Sequence, residues 1–203
     1  MSMKSCWAGM SIFLVLVALG LTSCGGGGLG TISPVLVDLY DCAAPDGLIE
    51  IEINRDGTIR EMEADIPVMD LPENVRDVAM AKAPGAVITG AEREIVAGSE
   101  AWEVKFRYQG RDWEYVIDSQ GTILETEKEL KRSEAPPAVL QGAEEALPGG
   151  KFKSIEVITI GQMEEYHVKK TFDGVSYKIV LTPAGEVKRK VREARAEIEI
   201  PLK

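Results

Sequence analysis

A register of 64 residues runs through this chain without a gap, and the residues that keep it are those that turn a backbone. Gly57, Gly121 and Gly185 form one set, and Pro72 with Pro136, Pro84-Gly85 with Pro148-Gly149, and Gly110 with Gly174 keep the same offset. Apolar positions agree with it, as in Ile53, Ile117 and Leu181, or Ile51, Tyr115 and Ile179. Glycine and proline restrict where a chain can bend, so their recurrence at one period means duplicated structural units.

Each unit carries its own punctuation. Leu71-Pro72 precedes Val75, Val78, Ala79 and Lys82 at helical spacing, and Pro136-Pro137 precedes Val139, Ala143, Ala146 and Leu147. Both patterns predict short amphipathic helices that stop at Pro-Gly, where proline lacks an amide donor and glycine accepts the left-handed conformation. After each helix the period becomes two. Trp102, Val104, Phe106 and Tyr108 alternate with Glu103, Lys105 and Arg107, which is the pattern of a half-buried antiparallel strand.

Further strands are expected over 87–96, 113–117 and 122–128, then over 152–160, 166–172, 177–181 and 186–192. The expected class is therefore α+β, with tandem repeats of one helix packed on a four-stranded antiparallel sheet. Ile49, Ile51 and Ile53 alternate with Glu50, Glu52 and Asn54 ahead of the turn Arg55-Asp56-Gly57, adding an N-terminal partial repeat, a hairpin that must pair with a neighbouring sheet edge. Val35–Tyr40 could form one more strand, although it does not fit the register. The aromatic residues Trp102, Phe106, Trp113, Tyr115, Tyr166, Phe172 and Tyr177 are expected under the two helices.

Residues 1–23 read as a signal peptide, because Lys4 leads into an uncharged apolar run from Ala8 to Leu21 that is too short to span a membrane comfortably. The run ends in Leu21-Thr22-Ser23-Cys24, which resembles the bacterial lipobox and assigns Cys24 as the lipidated first residue of the mature chain. Residues 24–45 then form a flexible glycine-rich leash and linker. With no acid following Cys24, the bacterial sorting rule points to the periplasmic face of the outer membrane. The partial repeat occupies 46–70 and the two full units 71–134 and 135–203.

Without the leader, 22 basic residues stand against 33 acidic ones, and a formal charge of −11 disfavours nucleic acid as a partner. Cys42 is left as one thiol with no partner in its own chain and no thiolate-stabilising pattern beside it, so it reads as an incidental small residue.

Several segments in this order resemble the PepSY-like domains, also described as β-lactamase-inhibitor-like. They are Leu71-Pro72 with its helix and Pro84-Gly85, then Trp102-Glu-Val-Lys-Phe, then Glu114-Tyr-Val-Ile-Asp-Ser-Gln-Gly121-Thr-Ile-Leu. The likeness covers residues 46–200, including Ile66-Pro67 and Ile200-Pro201. It implies a helix on a four-stranded sheet in exported bacterial proteins that bind or inhibit and do not catalyse. Paired cysteines and the inserting loop of the prototype inhibitor have no counterpart here, so no target or contact residue carries over.

Catalysis and metal binding need convergent groups, and the single histidine, His167, falls on the polar strand face beside Glu165 and Lys169. It reads as an exposed strand residue. Asn54-Arg55-Asp56-Gly57 faintly resembles a calcium-loop opening, yet the matching Ser119-Gln120-Gly121 and Pro183-Ala184-Gly185 keep only the glycine, so it reads as a hairpin turn. No cofactor and no metal are expected.

The candidate binding face is the polar side of the strands, with Glu50, Glu103, Lys105, Arg107, Glu114, His167, Lys169 and Lys178, and Glu52 beside them. Such a row serves either as a recognition surface or as a solvated face with cross-strand charge pairs. The leading expectation is a non-enzymatic, lipid-anchored envelope protein that binds a protein or peptide of the envelope. Structural self-association through the strand edges is the alternative.

Overall fold

The computed structural model describes residues 34–96 and 98–196, so the leader, Cys24, the glycine run and Ile200-Pro201 lie outside the described residues. The chain begins with helix α1 (Pro34–Cys42), then β1 (Ile49–Ile53), β2 (Ile59–Asp65), a 3-10 turn at Val68–Asp70 and α2 (Glu73–Lys82). Four strands follow, β3 (Val87–Val96), β4 (Ser99–Tyr108), β5 (Arg111–Asp118) and β6 (Ile123–Glu129). Helix α3 (Pro137–Ala146) then leads to β7 (Lys151–Ile160), β8 (Met163–Phe172), β9 (Val175–Leu181) and β10 (Val187–Arg192).

The local geometry recurs at the sequence register. Gly57, Gly121 and Gly185 have φ of 87°, 81° and 84°. Each closes its turn on the residue three before it, Asn54, Asp118 and Thr182, at 2.9, 3.0 and 2.9 Å. Bulges recur too, at Ile88/Gly90 and again at Phe152/Ser154. A bulge bends a strand and sharpens its twist, so these repeats bend the sheet at matching places.

The expected fold class is overturned at the next level. There are no separate four-stranded sheets: β1 to β10 form one antiparallel ten-stranded sheet in sequence order. The seams are real ladders. β2 pairs with β3 from Glu61↔Val96 to Asp65↔Glu92, and β6 pairs with β7 from Thr126↔Thr159 to Glu129↔Glu156. The reason is the open edge. A four-stranded sheet would leave the amides and carbonyls of β6 without partners, and the first strand of the next unit satisfies them.

The sheet also curls. Glu52 of β1 lies 3.5 Å from Lys178 of β9 and 3.3 Å from Arg189 of β10, so the first and last strands meet through side chains on the polar face. The three helices pack on the opposite face. Leu36 and Leu39 of α1 cover Met62, Ala64 and Ile95; Val75 and Ala79 of α2 cover Val104, Phe106 and Ile117; Val139 and Ala143 of α3 cover Val168, Ile179 and Leu181.

Two finer expectations change. Residues 35–40 belong to a helix, because Leu36 and Leu39, one turn apart, are both buried against β2 and β3. Phe106, Tyr115 and Tyr166 are buried as expected, whereas Trp102, Trp113 and Tyr177 are half-buried and Phe172, at the tip of β8, is 40% exposed.

Candidate functional site

Curling turns the polar face inward. It lines a cleft of about 160 Å³ to which strands from β1 to β10 contribute. Period-two alternation delivers charged side chains to this face, and the register sets like against like. Glu50 stands opposite Glu63 and Glu52 opposite Glu61 on β1–β2, with Glu63 opposite Glu94 on β2–β3. Glu92 opposes Glu103 on β3–β4, and Glu114 opposes Glu127 on β5–β6. Directly opposed like charges destabilise a ladder, so this arrangement has an energetic cost.

Among the described residues the cleft lining holds eleven glutamates against five lysines and arginines, with His167. Burial and the neighbouring carboxylates raise the acid pKa values. Glu63 is pushed up to about 8, first by burial and then by Glu61, Glu92 and Glu50. Glu94 rises to about 9 through burial, then the neighbouring carboxyls of Glu61 and Glu63, and Glu127 to about 10 through burial and the charges of Glu114 and Glu125. Glu103, 8% exposed, is held well above the usual carboxylate range by burial, then Glu114 and Glu92.

Four of the five bases are already paired with carboxylates. Lys105 bonds Glu92 and sits 3.3 Å from Glu103; burial alone would depress its pKa, but those two carboxylates outweigh it and raise it. Lys178 is raised in the same way, by Glu52, Glu63 and Glu61 against burial. His167 Nε2 lies 3.0 Å from Glu165 Oε1, and burial still pushes the imidazole down, favouring its neutral form.

Of the residues singled out in the sequence, Glu50, Glu103, Lys105, Glu114, His167, Lys169 and Lys178 all line this one cleft. His167 is half-buried within it instead of exposed, because the curl closes over β8. Arg107 is not part of the lining; at the open end of β4 it clamps Asp112 at 2.7 and 2.9 Å. Sequence reading missed the partners on β2, β3, β6 and β7: Glu61, Glu63, Glu92, Glu94, Glu127 and Glu156. Glutamates at alternate positions of each strand were the available signal.

Another charged group was missed on the opposite face. Lys170 is fully buried beneath α3, where its ammonium donates to Leu147 O at 2.7 Å, Ala143 O at 3.3 Å and Glu144 Oε2 at 2.7 Å. It caps the negative end of the helix dipole.

Residues 72–127, from the cap of α2 to within β6, match the PepSY family, described as peptidase propeptide and YPEB domain. That segment is similar to a PepSY domain. No curated protein matches it. Among solved structures, a DUF2874 family protein from Bacteroides uniformis is 19% identical with a TM-score of 0.50, over 60% of this chain and 88% of that one. A protein from Bacteroides eggerthii, provisionally assigned to the periplasm, is 16% identical with the same TM-score and coverage. A BLIP-like protein from Bacteroides fragilis is 19% identical at a TM-score of 0.48, over 64% of this chain and 91% of that one. At such identities the first two likenesses concern the fold, and they place the PepSY-like strand and helix order in a known architecture. No helix among the described residues is long and apolar enough to cross a membrane.

Proposed function

We propose that this protein is a non-enzymatic binding module of the bacterial cell envelope, exported by residues 1–23 and lipid-anchored through Cys24 at the periplasmic face of the outer membrane. Its cleft receives a basic segment of a protein or peptide partner. The observation that carries this reading is the convergence of eleven glutamates with five bases in one curved face, four of the bases already paired with carboxylates, so that the acids outnumber the cations available to them. A lysine or arginine side chain entering the cleft would relieve the repulsion between opposed glutamates and gain charge-assisted hydrogen bonds.

The test is capture by the lipid-free body of fluorescent oligolysine and oligoglutamate of equal length. Oligolysine should bind, more weakly as salt rises, and E114Q/E156Q should weaken it further. Equal binding of both peptides would overturn the reading. The self-association reading draws on the ladder edges, β1 and β10, with Val187 of β10 46% exposed. Light scattering that shows a dimer, lost on replacing Val187 and Val191 by lysine, would favour it instead.

A further inference from the structure

Among the described residues, three carboxylates of the cleft make no direct ion pair with a lysine or arginine. Glu61 and Glu63 on β2 and Glu94 on β3 place one oxygen each within 4.8 Å of one another. The pairing that brings them together is rigid, since Glu63 stands directly opposite Glu94 in the ladder and Glu61 lies two residues along β2 on the same face. Glu94 is 6% exposed, and its Oε2 is buried without a hydrogen bond. The positive charge acting on Glu63, Lys178, is held 3.5 Å from Glu52 instead.

We propose that Glu61, Glu63 and Glu94 form a binding site for one hard divalent cation, with Ca²⁺ as the fitting ion. Buried carboxylates demand a counter-charge, and the side chains in the ladder that could supply one are committed elsewhere. The donors are all oxygen, which selects Ca²⁺, Mg²⁺ or Mn²⁺ over thiolate- or imidazole-seeking metals. Three carboxylates and water meet the six to eight ligands of Ca²⁺ on a sheet that need not reach the strict octahedron of Mg²⁺. The neighbouring group Glu103, Glu114 and Glu127 is less suited, since Lys105 already stands 3.3 Å from Glu103. This inference stands apart from the peptide reading, because a metal ion held by these three carboxylates needs no partner chain.

The experiment is calorimetric titration of the chelator-treated lipid-free body with CaCl₂ at pH 8, with thermal melts at matched ionic strength. The expected results are one Ca²⁺ per chain and a raised Tm. E63Q/E94Q should stay folded without metal, melt no lower than the wild type, and lose affinity at least about tenfold. E103Q should still bind. Absence of heat and of a Tm shift in the wild type at pH 8 would overturn the site, as would Ca²⁺ binding retained by E63Q/E94Q or lost in E103Q.

Discussion

Single side chains in this protein are held by partners that lie far away in sequence. Phe106 is 2% exposed and meets Tyr115 edge-on, with ring centroids 4.7 Å apart and planes at 73°. Phe106→Ala should cost about 3–5 kcal/mol, read as a lowered urea midpoint with an unchanged slope. Lys170 is the sharper case. Its hydrocarbon stem is buried and its ammonium lies 4.6 Å from the Phe152 ring centroid. Lys170→Met keeps the stem but removes the ammonium that donates to Glu144 and to the carbonyls of Leu147 and Ala143, which keep only the amides of Gly150 and Leu147, so it should lose about 1–2 kcal/mol. A variant as stable as the parent in urea would show that water satisfies those carbonyls equally well.

Elements dock through contacts that intrinsic propensity does not report. Gly142 lies mid-helix in α3, where alanine would ordinarily gain about 1 kcal/mol. A Cβ there would fall 2.1 Å from Gly185 O and 2.9 Å from Leu181 Cδ2, so the helix lies directly on the β9–β10 turn. Gly142→Ala should therefore destabilise by about 1–3 kcal/mol against its propensity, with a drop in Tm as the readout. In the preceding unit a Cβ added at Gly121 would meet Val78 Cγ2 at 3.2 Å, and Val78 lies 64 residues before Gly142, so the two helices meet their turns at the same position of the register, one through a side chain and one through backbone.

Across the described residues the apolar cores lie outside the curl, between helices and sheet, and the charge lies inside it. This inverts the usual dependence of stability on pH. Glu127 has a folded-state pKa of about 10 against an ordinary 4.5, so the folded chain keeps a proton that the unfolded chain gives up. A raised acid pKa favours the fold fully below pH 4.5, and that advantage drains away as pH climbs towards 10. Glu103 acts in the same direction. Chelator-treated protein should be more stable at pH 5 than at pH 9, and Glu127→Gln should flatten that slope; urea midpoints that rise from pH 5 to pH 9 would contradict it.

Local structure was legible in the sequence wherever one residue type has one backbone consequence. The glycine at each turn, the Pro-Gly stop of each helix and the two-residue alternation of β4 are properties of a few neighbouring residues, and they reappear as positive φ, helix ends and strands. Alternation also assigned Glu103, Lys105 and His167 to one face. The fate of that face was decided by the tertiary structure alone, because hydrogen bonding at the edges of β3 and β7 joins the units into one sheet and repeated bulges and twist curl it. Whether a strand's polar side meets solvent or eleven glutamates depends on residues many strands away, such as Glu52 reaching Lys178 and Arg189. Pairing between distant segments is set by the shape of the whole sheet, and no local period encodes it.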